Sequence, residues 1–137
     1  MAAFAALTLT DAAGTPVNHT YSPKKIEDGI AVWKNTAGGI AVGFPTATLS
    51  LREPNKGSRA WKLQAKLVYP VLEVTSPSTS TGIQPAPTKA YDLMCVVEMV
   101  LPERASLQER KDILAMARDF FGDAVITAAV HDLDVPY

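Results

Sequence analysis

Thr46-Ala-Thr-Leu-Ser-Leu-Arg52, a break at Glu53-Pro-Asn-Lys-Gly57, and Trp61-Lys-Leu-Gln-Ala-Lys-Leu-Val-Tyr69 decide how this chain folds. In the first segment Ala47, Leu49 and Leu51 alternate with Thr46, Thr48, Ser50 and Arg52. In the second, Trp61, Leu63, Ala65, Leu67 and Tyr69 alternate with Lys62, Gln64, Lys66 and Val68. A period of two marks a strand with one apolar and one solvated face. Paired as an antiparallel hairpin, the two strands put Thr46, Thr48, Ser50, Arg52, Lys62, Gln64 and Lys66 on one surface. The opposite surface is apolar and requires a cover.

Upstream, Ala5, Leu7 and Leu9 alternate with Ala6, Thr8 and Thr10 as far as Asp11-Ala-Ala-Gly14, and Val17, His19 and Tyr21 resume the period. This predicts a β-hairpin over 1–22. Tyr21-Ser-Pro-Lys-Lys breaks the pattern, Asp28-Gly29 leads into a third strand at Ile30-Ala-Val-Trp33, and Asn35-Thr-Ala-Gly-Gly39 reads as a loop. Downstream, residues 74–89 hold three prolines, a glycine and seven Ser/Thr, predicting a long loop or a two-stranded finger. Residues 91–101 are almost wholly apolar and suit a central strand closed by Pro102.

Ser106-Leu-Gln-Glu109 is a capping box, so a helix starts there. Leu107, Ile113, Leu114, Met116, Ala117, Phe120 and Phe121 form its apolar stripe, and Gly122 stops it. Residues 124–130 predict a second short helix. Strands first and helices last define an α+β chain: an N-terminal hairpin, an antiparallel sheet over 30–101 and helices over 106–130, all in one domain of 137 residues.

Apolar residues at 47% and charged residues at 20% exclude a disordered or coiled-coil chain. The longest uncharged stretches are interrupted by Gly, Pro, Ser and Thr and do not resemble a membrane span. The start lacks a basic n-region and Cys95 is the single cysteine, so a mature, cytosolic chain is expected. The net charge of −1 hides a split: eight Lys/Arg against four acids in residues 1–70, and five against ten in residues 71–137. Such a chain can present one basic face to a polyanion and keep another acidic.

Catalytic chemistry has little to work with. His19 and His131 are far apart, no cysteine lies near either, and the sequence offers no metal ligand set, cofactor motif or nucleophile–base pair. Cys95 falls on the strand side assigned to the core, predicting a buried, inert thiol. On the polar face, by contrast, Lys and Arg can neutralise phosphates while hydroxyls and an amide meet sugars or base edges. An antiparallel sheet with one wet face alternates in the same way, so the pattern alone leaves an ordinary solvated surface equally open. One helix pair covers a five-stranded sheet poorly, which points to a second subunit.

An ordered set of features resembles the coat proteins of the single-stranded RNA bacteriophages, the levivirus-like group. They are Phe4 before the hairpin, Asp11-Ala-Ala-Gly14, Gly29-Ile-Ala-Val-Trp33, Thr48-Leu-Ser-Leu-Arg52, Lys62-Leu-Gln-Ala-Lys66 leading to Pro70, the loop at 74–89, Tyr91 through Glu98 to Pro102, two terminal helices and a final tyrosine. The resemblance implies a hairpin, a five-stranded sheet and two helices that lie over the sheet of a partner, giving an intertwined homodimer with one ten-stranded sheet. It further implies an icosahedral shell assembled in the bacterial cytoplasm, with the sheet facing single-stranded genomic RNA and the chain ending up in the virion. No cofactor, metal, membrane or enzymatic activity is implied.

The family's dimers can also bind an RNA hairpin at the start of the replicase gene and repress its translation. Thr48 and Ser50 fall where the family has a hydroxyl pair at an adenine pocket, Lys66 at that pocket's basic position, and Arg52 and Lys62 at backbone-contacting positions. Gln64 replaces a family hydroxyl, while Met94 and Val96 stand where a stacking tyrosine and an asparagine are usual. The expected RNA site is therefore Thr46, Thr48, Ser50, Arg52, Lys62, Gln64 and Lys66. The alternative from another class is a small dimeric RNA-binding regulator that forms no shell.

Overall fold

Asp28 and Gly29 both adopt positive φ, 53° and 76°, between a strand ending at Glu27 and one starting at Ile30. Two central residues with positive φ are what a type I′ hairpin turn needs, and its twist matches that of the strands it joins. The pair is therefore a turn in its own right, and it sets the register Glu27↔Ile30 from which the sheet grows.

The computed structural model describes residues 2–73 and 88–136. Six strands follow one another: β1 (Leu7–Thr10), β2 (Asn18–Glu27), β3 (Ile30–Lys34), β4 (Thr46–Arg52), β5 (Ala60–Leu72) and β6 (Lys89–Pro102). Their spatial order is their chain order. The expected hairpin and five-stranded sheet are joined, because β2 pairs with β1 through its first half and with β3 through its second. The sequence break at Tyr21-Ser-Pro-Lys-Lys is a bulge inside β2, with the register shifting between Pro23 and Lys25. Strand β4 has the bounds its alternation predicts, whereas β5 continues through Pro70 to Leu72. The loop expected at 74–89 lies outside the described residues except at its end. There the Glu73 amide donates to the Thr88 carbonyl at 2.8 Å, the Thr88 hydroxyl donates to the Glu73 carboxylate, and Lys89 already belongs to β6.

Contacts divide the chain into two units, Met1–Val100 and Leu101–Tyr137. The core of the first is small. Tyr21, Trp33 and Ala47 are buried, with Phe4, Leu7, Leu9 and Ala31 packed against them. Phe4 meets Trp33 edge-to-face at 5.1 Å between ring centroids, and the Trp33 indole N–H donates to the Ala5 carbonyl at 2.9 Å. The hairpin is thereby fastened over one end of the apolar sheet face, with the polar end of the indole satisfied. Its turn is organised by Asp11, whose carboxylate accepts from the Val17 and Ala13 amides and lies 2.7 Å from His19 Nε2. Beyond Trp33, Asn35 accepts from the Ala37 amide and a single 3₁₀ turn at Ala41–Gly43 packs on β5. A Cβ at Gly43 would sit 3.0 Å from a Leu72 methyl carbon, so a larger residue there fits only if the Leu72 side chain shifts.

Cys95 does not follow its expectation: it is exposed in the chain. Among the described residues of its own unit nothing covers strand β6 here, and Tyr91, Leu93, Met94 and Val96 are exposed with Cys95. In the second unit, α1 (Leu107–Phe121) starts at Ser106, whose hydroxyl accepts from the Glu109 amide as the capping box predicts. Helix α2 (Ala124–His131) starts at Asp123, which accepts from the Val125 amide at 2.9 Å. Neither helix buries a residue in the single chain.

Candidate functional site

The β4–β5 register places the expected residues opposite one another. Thr48 faces Lys66, Ser50 faces Gln64 and Arg52 faces Lys62, while Thr46 faces Val68. Directly opposed residues share a face and lie about 5 Å apart at Cβ. All seven therefore occupy one face, with the hydroxyls half-buried and Arg52, Lys62 and Gln64 exposed. The apolar face is offset by one residue, with Ala47 opposite Leu67, Leu49 opposite Ala65 and Leu51 opposite Leu63.

Strand β3 extends the face with residues that period-two reading of β4 and β5 does not supply. Lys34 stands opposite Thr46, Val32 opposite Thr48 and Ile30 opposite Ser50. Ile30 is 41% exposed, so an apolar side chain borders the Ser50–Gln64 pair. Across the next pairing, Lys25 stands opposite Val32 and Glu27 opposite Ile30. One row of the face therefore reads Lys25, Val32, Thr48, Lys66. The signal for this extension lay in the Asp28-Gly29 turn, which fixes the β2–β3 register.

Two of the cations are already engaged. Lys62 forms an ion pair with Glu98 of β6 at 2.5 Å, and Lys25 one with Glu27 at 2.7 Å. The hydrogen bond from Lys25, and then its charge, hold the Glu27 carboxyl below its ordinary range and the Lys25 ammonium above its own. Both pairs are solvent-exposed and therefore weak, so each can open for a competing anion. Lys34, Lys66 and Arg52 enter no ion pair with any described residue. Five cations stand against three carboxylates, Glu27, Glu98 and Asp92, the last sharing the side of Glu98 by alternation and paired with Lys89, so the face stays positive. The reach of Glu98 to Lys62 also identifies its side of β6 as the polar face, and Met94 and Val96 share that side by alternation, 59% and 48% exposed. No group of three His, Cys, Asp or Glu that could hold a metal ion occurs among the described residues.

A meander of six antiparallel strands with one open basic and hydroxyl-bearing face, followed by two amphipathic helices, is the architecture of an RNA-phage type of coat protein. The family model described as levivirus coat protein matches residues 2–137, and the chain belongs to that family. It is similar to the capsid protein of Pseudomonas phage PRR1, at 31% identity over 114 residues that cover 82% of this chain and 81% of that one. Its fold superposes on the virus-like particle of bacteriophage ESE058 with a TM-score of 0.89 at 30% identity, covering 97% and 98% of the two chains. The virus-like particle of bacteriophage NT-214 matches with a TM-score of 0.86 at 28% identity, over 99% and 100%. The chain is accordingly a capsid protein, a component of the virion.

Proposed function

We propose that the chain forms homodimers that assemble into an icosahedral shell and package single-stranded RNA against the polar face of β3, β4 and β5. The exposed apolar surface supports the dimer. Leu49, Leu51, Leu67 and Tyr69 on the sheet, and Ile113, Leu114, Phe120 and Phe121 on α1, are each 39% or more exposed in the single chain. A chain of this size with three buried hydrophobic side chains among its described residues falls short of the burial that a stable domain needs, and a second copy supplies it. Particles formed by its relatives favour a shell over a regulator that stays dimeric. The role is structural, with no catalysis.

The observation that carries the RNA reading is the row of opposed pairs Thr48–Lys66, Ser50–Gln64 and Arg52–Lys62, positive and open. Arg52 and Lys66 are the cations of these three pairs that have no ion-pair partner among the described residues, and they make the sharpest test. Particles of the Arg52→Glu/Lys66→Glu variant should contain less RNA per protein, read as a lowered 260/280 nm absorbance ratio, while dimers remain folded. Unchanged RNA content in such particles overturns the reading.

Phosphate contacts on this face give affinity rather than sequence choice. With Met94 and Val96 where a stacking ring and an amide would read bases, repression through a replicase-start hairpin rests on Thr48, Ser50 and Lys66 alone. Filter binding at fixed salt should give cognate and scrambled hairpins within about tenfold of each other, below the 10³ or more of a specific complex. A ratio in that higher range would establish an operator function.

A further inference from the structure

The bulge in β2 does something that a regular strand cannot. Successive side chains of a strand point to opposite faces, so Lys24 and Lys25 should be separated by the sheet. Instead, the register steps from Pro23↔Trp33 to Lys25↔Val32, leaving Lys24 as the extra residue. Lys24 and Lys25 consequently line the same open cavity of about 340 Å³, together with Lys34, Thr36, Ala41 and Phe44. Bulges re-aim side chains in this way and are common beside functional sites.

We propose that this cavity is a second anchoring site for single-stranded RNA, holding a phosphate between Lys24 and Lys34 and a base or ribose against Phe44 and Thr36. The inference rests on the RNA-packaging reading and extends it to the far edge of the sheet. Three ammonium groups around one cavity repel one another, and Glu27 offsets the charge of Lys25 only. Lys24 and Lys34 enter no ion pair with described residues, so the site carries positive charge that an anion would relieve. Lysine is suited to a phosphate as a flexible point charge. The half-buried Phe44 ring adds the aromatic surface on which a base stacks without regard to sequence.

The cavity is also continuous with the hairpin face. Lys34 stands opposite Thr46, and Lys25 ends the row that runs through Val32 and Thr48 to Lys66. Three strand spacings separate the ends of that row, about 14 Å. A strand of RNA leaving the Thr48–Lys66 pair across the sheet therefore passes directly to Lys25 and its neighbours. The acidic residues of a second copy are the competing occupant of such a cluster, and the test separates the two.

The experiment uses the full chain, kept unassembled, with a fluorescein-labelled oligouridylate of about twenty nucleotides, between about 50 and 200 mM salt. Each phosphate contact on a single strand contributes about 0.7 to the slope of log affinity against log salt. The Lys24→Gln/Lys34→Gln variant should lower the slope by about 1.4, a roughly sevenfold smaller loss of affinity over that range. Lys24→Arg/Lys34→Arg should restore it. An Arg52→Gln/Lys66→Gln variant probes the hairpin face separately. If it lowers the slope and the Lys24/Lys34 pair does not, the second site is wrong and the packaging reading stands. If neither lowers it, the packaging reading itself fails. A Lys24/Lys34 variant with the native slope but altered assembly without RNA would assign the cluster to a protein contact and overturn the proposal.

Discussion

The corner around Trp33 and the helical segment from Leu107 to His131 are both rich in apolar side chains, yet only the corner buries any. Tyr21, Trp33 and Ala47 are at most 7% exposed, whereas Ile113, Leu114, Phe120 and Phe121 lie between 44% and 61%. The corner is closed by its own chain: a ring from residue 4, a carbonyl from residue 5 and the aliphatic side of the hairpin. The helices hold their shape through local devices, the Ser106 and Asp123 caps and side-chain spacing, and leave their stripe uncovered. One region is therefore closed within a single chain, and the other leaves its apolar stripe open.

Two substitutions probe that contrast hardest. Trp33→Ala removes the largest side chain of the corner with its hydrogen bond, and should cost about 3–5 kcal/mol. That is a large share of the roughly 5–15 kcal/mol that holds an ordinary domain. The urea midpoint should fall accordingly, and a loss under about 1 kcal/mol would mean that the corner is not the chain's anchor. Phe120→Ala, in the open region, should act on association. If a partner covers the ring, the dimer should weaken by about 2–4 kcal/mol in sedimentation while helix content by circular dichroism stays close to native. Unchanged association would show that Phe120 is not part of what a second copy covers.

The same contrast explains what the amino-acid order could disclose. Strand β4 was legible to the residue because Thr46 to Arg52 alternate without interruption, and α1 because Ser106 and Glu109 bracket its first turn. That the seven candidate residues share one face followed from that alternation alone, since parity fixes the face. Parity fails at an inserted residue, so Lys24 and Lys25 gave no sign of lining one cavity, and the break at Tyr21-Ser-Pro-Lys-Lys that closes the expected 1–22 hairpin is instead a bulge within a continuous β2. The Glu98–Lys62 pair was hidden for a different reason: it joins strands 36 positions apart, and only the β5–β6 neighbourhood brings them together. Cys95 was misjudged because an apolar strand reads as buried whether its cover comes from its own chain or from another.

A smaller effect separates backbone geometry from packing. Gly29 has φ of 76° and open space where a Cβ would point, so Gly29→Ala meets no steric neighbour and isolates the cost of the left-handed conformation. The expected loss is about 1–2 kcal/mol, visible as a modest drop in midpoint with dimerisation intact. A loss as large as that of Trp33→Ala would place the β2–β3 turn, rather than the Trp33 corner, at the root of the fold.

The smallest effect belongs to acid. The carboxyl of Asp11 is held down to about 2, first by the Val17 amide, then by the hydrogen bond with His19, then by the Ala13 amide. Its value in the folded chain lies below the ordinary 3.8, so its contribution is complete above about pH 4 and disappears as pH falls through about 2. The group lies at the surface, which keeps the effect local to the turn. Hydrogen exchange at the Val17 and Ala13 amides should accelerate across that window, while the Trp33 indole, bonded to the Ala5 carbonyl, stays protected. In Asp11→Asn the side-chain oxygen can still accept from both amides but no longer titrates, so the acid-dependent step should vanish. Persistence of that step in the variant would assign it to other carboxylates, and simultaneous loss of indole protection in the native chain would show that the corner depends on the turn.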